Sequence, residues 1–202
     1  VELAYVLGYL TAEGCLSEHG RAIFTMADVE VMEHYYECFS DVFGVPVEVL
    51  RSKTRNVEGT LTCDFFSTEV YNFLRYLGCG THSRDKKVPK CIRTGTREEV
   101  QAFLSAFYEG DGSINSKSVS CFSTSYELAS GIQQLLFNFG VISSLIERQG
   151  KYHSQKNLNR IWHVITNGKN SANLLKVIAF ISERKAQSQS DFVGGNHKHD
   201  VL

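Results

Sequence analysis

Leu104-Ser105-Ala106-Phe107-Tyr108-Glu109-Gly110-Asp111-Gly112 and an earlier counterpart, Val6-Leu7-Gly8-Tyr9-Leu10-Thr11-Ala12-Glu13-Gly14, are apolar helical runs, each ending in a carboxylate followed directly by glycine. Small residues recur four apart in both, Gly8 with Ala12 and Ala106 with Gly110. This strips side-chain bulk from one stripe of each helix, so that two such stripes can approach until their backbones nearly touch. Gly14 and Gly112 suit the left-handed residue that ends a helix, which puts Glu13 and Asp111 in the last turn. There the helix dipole opposes an anion by roughly 0.3–1 kcal/mol, and two carboxylates brought together repel each other. A bound divalent cation reverses both penalties. The pair therefore reads as a twinned helix interface delivering two acids to one metal-binding spot; the plainer alternative is two amphipathic core helices whose final acid faces water.

Behind each motif the same order of elements follows, at an offset of about 98 residues. Residues 15–25 and 113–124 alternate and carry turns, Glu18-His19-Gly20 and Asn115-Ser116-Lys117, so both read as hairpins. Helical stretches 29–43 and 126–139 come next, each ending Phe-Gly-Val. Second strand pairs are expected at 47–50 with 61–66 and at 144–148 with 160–166, joined by polar loops at 51–60 and 149–159. Each half closes on a helix, at 68–77 and 171–181. The expectation is an α+β protein of two αββαββα halves, residues 1–96 with a linker and 97–202 with a polar tail. A pseudo-two-fold axis runs along the motif helices, and two antiparallel sheets present uncovered faces as a concave saddle.

The totals bound the function. With 202 residues and 43% hydrophobic content the chain has the material for one good core or two small subdomains. No apolar run approaches the ~20 residues a membrane span needs, and no export signal is visible, so the expected setting is intracellular, in the cytoplasm or nucleoid. Six scattered cysteines with no C-x-x-C pair read as reduced thiols rather than a zinc or disulfide framework. The net charge of -1 argues mildly against a nucleic-acid partner, but charge is unevenly distributed. Acids collect at Asp28, Glu30, Glu33, Glu37 and Asp41, whereas residues 148–169 carry five basic side chains and no acid. The first polar loop offers Arg51, Lys53, Arg55 and Asn56; the second offers Arg148, Gln149, Lys151, His153, Gln155, Lys156, Asn157, Asn159 and Arg160. Cations mixed with amides suit double-stranded DNA, since Arg and Lys neutralise phosphates while Arg, Gln and Asn bond base edges. Solvated hairpin loops are the alternative.

The paired motifs resemble those of the LAGLIDADG homing endonucleases, in particular the intein-encoded branch, and the resemblance covers most of the chain. It implies the saddle fold, with the motif helices as the interface between halves. The eighth motif position, Glu13 and Asp111, is the implied metal-binding acid, flanked by Gly14 and Gly112; Glu13 departs from the commoner aspartate. Thr11 and Glu109 hold the sixth position, where aspartate is usual, and this departure is expected to matter less. The segment Arg84-Asp85-Lys86-Lys87-Val88-Pro89-Lys90 resembles the block preceding the second motif in intein endonucleases, and Ser182-Glu183-Arg184-Lys185 resembles their closing block. The implied active-site lysines are Lys86, with Lys87 as the neighbouring alternative, and Lys185. The implied activity is a staggered double-strand cut in a long asymmetric DNA target, by a monomer, with Mg²⁺ as cofactor, Mn²⁺ as substitute, and Ca²⁺ binding without supporting cleavage. A non-cutting DNA-binding regulator, an RNA-splicing maturase and an unrelated metal-dependent hydrolase are the other readings. The stretch opens on no splicing cysteine or serine and closes on no His-Asn pair, so the expectation is an endonuclease portion alone or a free-standing relative.

Overall fold

The structure, a computed structural model, describes residues 1–17, 19–151 and 158–192; Glu18 of the first predicted turn lies outside them. The first half runs α1 (Glu2–Glu13), β1 (Gly14–Ser17), β2 (Arg21–Met26), α2 (Val29–Phe43), α3 (Val47–Ser52), β3 (Thr54–Val57), β4 (Thr60–Phe66) and α4 (Thr68–Leu77). A short α5 (Lys90–Arg93) lies in the linker. The second half runs α6 (Arg97–Asp111), β5 (Gly112–Ile114), β6 (Ser118–Ser123), α7 (Tyr126–Asn138), β7 (Ser144–Lys151), β8 (Leu158–Asn167) and α8 (Gly168–Val177), and α9 (Glu183–Ser190) closes it. Two four-stranded antiparallel sheets result, ordered β1-β2-β4-β3 and β5-β6-β8-β7, so the predicted repeat and the α+β class are present in the fold.

The two halves meet through α1 and α6. A methyl added to Gly8 would lie 2.5 Å from the Phe103 carbonyl oxygen and 2.7 Å from the Ala106 Cβ; one added to Gly110 would lie 2.6 Å from the Ala12 Cβ. Each glycine thus faces the alanine of the other helix, and hydrogen at these two positions sets the interhelical distance. Tyr9, Phe103, Phe107 and Tyr108 flank the stripe and are fully buried, joining both halves into one core. Thr96 and Glu99 start α6 with a reciprocal capping box, which fixes where this helix begins.

One face of each sheet is covered by helices and the other is open. In β2 the alternation is clean: Ala22, Phe24 and Met26 enter the core, while Arg21, Ile23 and Thr25 face the open side. Val119 and Cys121 of β6 enter the core beside Thr166 and Val164 of β8, leaving Phe122, His163 and Ile161 on the open side.

Two expectations are corrected. The strand expected at 47–50 is the helix α3, and the edge strand is β3. A Val-Glu-Val-Leu run satisfies helical and strand periods equally over so few residues, and Pro46, with φ -57 in front of it, is well placed to start a helix. The strand pair is instead set by the two-residue turn Glu58-Gly59, both at positive φ (52 and 83), within what the sequence offered only as a polar loop. Gly14 and Gly112, for their part, are extended, at φ -108 and -80, because each helix passes directly into a strand. They are required for space: a Cβ at Gly14 would lie 2.6 Å from the Leu10 Cα, and one at Gly112 would collide with the Tyr108 backbone oxygen. The left-handed stops do occur where the Phe-Gly-Val endings lie, at Gly44 (φ 66) and Gly140 (φ 71). Among the described residues no helix is long and apolar enough to cross a membrane.

Gly8→Ala and Gly110→Ala should each destabilise the protein by about 1–3 kcal/mol or more, since a methyl forces the motif helices apart. Gly44→Ala, with nothing within 4 Å of the added carbon, should cost only about 1 kcal/mol of backbone strain. Chemical unfolding of the three variants checks this; equal losses would mean that the helix contact tolerates separation.

Candidate active site at the ends of the paired helices

Because α1 and α6 run side by side and end together, Glu13 and Asp111 open onto one cavity of about 390 Å³. Its lining also includes Lys86, Cys15, Ile23 and Thr25 from the first half and Phe122 and Ile161 from the second. The cavity lies between the open faces of the two sheets. Glu13 is exposed at its mouth, while Asp111 is half-buried. Burial, then the nearby Glu13 charge, push the Asp111 carboxyl from 3.8 up to about 7, against the pull of Lys86 and Lys185. Among the described residues no group of three or more His, Cys, Asp or Glu side chains forms a metal cluster, so the site offers a two-carboxylate donor set. Hard carboxylate oxygens, crowded enough to keep one proton near neutrality, fit a hard divalent cation of the Mg²⁺, Mn²⁺ or Ca²⁺ type.

The two lysines solve a backbone problem. Gly14 and Gly112 do not turn back over the helix ends, so carbonyls of the last turns need other donors. The Lys86 ammonium donates to the Ala12 oxygen at 2.8 Å. That of Lys185 donates to the oxygens of Tyr108 (2.7 Å), Glu109 and Gly112 (2.9 Å). Both cations also stand where the helix dipole is negative. Burial lowers the Lys86 pKa although Asp111 and Glu13 oppose it. Burial likewise lowers Lys185, to about 8, although Glu109 opposes it. An ammonium has three protons. Lys185 commits all three to backbone carbonyls, whereas Lys86 lines the cavity with one such bond shown. Lys87 is exposed and does not line it.

Glu109, given little weight from its motif position, is a buried acid beside the site. It is 2% exposed, and its carboxylate accepts from the Ile181 amide (2.7 Å), the Ser182 amide (3.4 Å) and the Ser182 hydroxyl (2.6 Å). Ser182 is itself the N-cap of α9, so Glu109 ties the start of the closing helix to the last turn of α6, two residues before Asp111. The signal was present in sequence as an acid inside a buried helical run, but its partners lie more than 70 residues away.

The expected DNA-facing residues divide. Arg148 pairs in register with Ile161 on the open face and is exposed. Arg55, opposite Thr62, lies on the open face of the first sheet, where it and Arg21, which the sequence did not single out, share Asp64 at 3.7 and 3.1 Å. His163 is also on the open side, 5% exposed and stacked on Phe122 at 4.2 Å. Lys53 ends α3 and is exposed. Two others point elsewhere. Arg51 lies on α3 rather than in a loop and grips Glu33 of α2 through Nε and Nη2, at 2.5–3.2 Å. Arg160 lies on the face of β8 that carries Trp162, packed against Tyr126 of α7, and pairs with Glu147 at 3.2 Å. His153 and Lys156 lie outside the described residues; Lys151 is described only as the end of β7.

Comparison with known proteins fits this geometry. Residues 98–179 match the LAGLIDADG-like domain family. The chain is 29% identical over 198 residues to the Replication factor C small subunit of Methanocaldococcus jannaschii, covering 95% of this chain but 10% of that protein. It is 30% identical over 164 residues to the DNA polymerase II large subunit of Thermococcus kodakarensis, covering 78% of this chain and 8% of that protein. The chain thus spans about a tenth of the length of these relatives. Among solved structures, the homing endonuclease I-DmoI in complex with DNA and Ca superposes with a TM-score of 0.63 at 12% identity, over 94% of this chain and 97% of that one. The fold is that of the LAGLIDADG homing endonucleases.

Because the folded-state pKa of Asp111 lies above the unfolded one, the native state holds the extra proton between about pH 4 and 7, and stability falls as pH rises through that window. Asp111→Asn should therefore stabilise the metal-free protein by about 1–3 kcal/mol above pH 7, with the gain shrinking towards pH 4. Thermal unfolding across pH checks it; a gain independent of pH would remove the charge explanation. Glu109→Ala should cost about 2–4 kcal/mol, because two amides and a hydroxyl lose their acceptor in a buried place. A loss below about 0.5 kcal/mol in urea titrations would mean that this tie carries no stability.

Proposed function

We propose that the protein is a site-specific, intein-encoded DNA endonuclease that makes a double-strand cut by metal-dependent phosphodiester hydrolysis. The observation that carries this reading is the meeting of Glu13, Asp111 and Lys86 in one cavity between two open sheet faces. The same stretch matching a small part of a replication factor and a small part of a DNA polymerase fits a unit inserted into different hosts, and a DNA target places its work inside the cell.

Glu13 and Asp111 would hold Mg²⁺, which supplies positive charge at a phosphate oxygen and acidifies bound water. The remaining roles belong to the chain. Burial and the Glu13 charge push the Asp111 carboxyl up to about 7, and a divalent cation bound by these two residues would offset the repulsion between them. Lys86, anchored by one bond to the Ala12 oxygen, directs its remaining protons into the cavity, where charge develops on the phosphate. Lys185 acts from beneath, holding the carbonyls of the turn that presents Asp111. Arg148 and Arg55 on the open faces neutralise backbone phosphates, and Phe122 with His163 and Ile161 forms a wall for base edges. Halves that differ in sequence let a single chain read an asymmetric site.

Cleavage of a randomised plasmid library with Mg²⁺, beside a Glu13→Gln/Asp111→Asn double variant and a Ca²⁺ control, tests this. Staggered cuts at one long motif, absent in the double variant and with Ca²⁺, are expected. Selective binding without any cut would move the protein to a DNA-binding regulator or maturase. No DNA binding at low salt would overturn the nucleic-acid reading altogether. Arg148→Ala should lower the salt slope of binding by about one phosphate contact, whereas Arg160→Ala should leave it unchanged.

A further inference from the structure

The two site lysines are held in a crossed manner. Lys86 caps α1 of the first half, yet its own carbonyl accepts a hydrogen bond at 2.7 Å from the hydroxyl of Ser125, the N-cap of α7 in the second half. Further along α7, Gly131 leaves room for Val88: a Cβ there would lie 2.8 Å from the Val88 Cγ2, and Val88 is buried. The segment bearing Lys86 is thus seated on the other half's covering helix. Lys185, conversely, caps α6 of the second half, while the residues beside it are held by the first half. The Glu183 amide donates to Glu30 Oε1 at 3.2 Å, and the Arg184 guanidinium donates to Asp28 Oδ2 at 3.1 Å. Asp28 is the N-cap of α2, and α2 and α7 are the corresponding helices of the two halves.

We propose that these contacts form a reciprocal brace, in which the start of each covering helix positions the lysine of the opposite active site. Ser125 and the Asp28–Glu30 pair are then positioning residues acting across the interface. The arms differ in strength. Ser125 is 4% exposed and its bond joins two uncharged groups, whereas Arg184 is 65% exposed and makes an ion pair, so salt weakens the second arm far more than the first. The positional claim stands on the bonds themselves; its consequence for strand cutting rests on the endonuclease reading.

The test is pulse acetylation of each lysine in the full chain, read by mass spectrometry. Ser125→Asp keeps an acceptor for the start of α7 but has no proton for the Lys86 carbonyl, while Ser125→Thr keeps both. Ser125→Asp should raise Lys86 labelling about fivefold with Lys185 unchanged, and Ser125→Thr should restore the wild-type rate. The combined Asp28→Asn/Glu30→Ala variant should raise Lys185 labelling about twofold with Lys86 unchanged. Labelling that rises in the substituted half, at both lysines alike, or at neither would overturn the brace. On a target that the wild type cuts, Ser125→Asp should accumulate nicks in the pattern of Lys86→Met, and equal slowing of both strands would overturn the functional consequence. A wild type that cuts no DNA would sink the endonuclease reading, while the labelling would still decide the brace.

Discussion

Everything in this protein depends on how closely α1 and α6 approach. Gly8 against Ala106 and Gly110 against Ala12 leave no space for another methyl group, so the helix ends lie side by side and the acids that follow share one cavity. A wider contact would still bury Tyr9, Phe103 and Phe107, but it would deliver Glu13 and Asp111 to separate places. The small residues fix a distance, and that distance makes two carboxylates into one donor set.

This arrangement gathers like charges at helix ends that already carry negative potential, and the molecule offsets that cost with lysines. Each comes from a segment outside the motif helix it caps, and each supplies protons to backbone carbonyls where that helix runs straight into a strand. The capping lysines and the extended glycines are two parts of one solution: the Gly14 and Gly112 amides reach back only to Leu10 and Tyr108, and the lysines serve carbonyls nearer the helix ends. Glu109 completes the second site by drawing in the closing segment that carries Lys185. The two sites are not equivalent, since Thr11 stands where Glu109 does and Lys86 faces the cavity more openly than Lys185.

Much of this was legible in the chain. The repeat placed both hairpins, the helices α2, α4 and α7 and the motif pair, because hydrophobic period and the Phe-Gly-Val stops are local signals repeated twice. Residues 47–57 were misread because a short Val- and Leu-containing run has no decisive period, and its outcome depends on Leu50 reaching the core and on the Glu58-Gly59 turn beyond it. Gly14 and Gly112 were correctly singled out for the wrong reason: sequence marks a glycine but does not distinguish a need for handedness from a need for room. Arg51 and Arg160 looked like DNA contacts because basic loops carry no record of which face they occupy, and here Glu33 and Glu147 hold them.

The sequence by itself determined the doubled architecture and the identity of the paired acids, because small-residue spacing, helix stops and strand alternation act over a few residues and survive without partners. Only the tertiary structure decided which lysine enters the cavity, what Glu109 is for, which arginines face the open sheets, and that each half braces the other. Those are matters of burial and of partners up to 156 residues distant, and no local pattern encodes which face a side chain will find itself on once two sheets and two helices have packed.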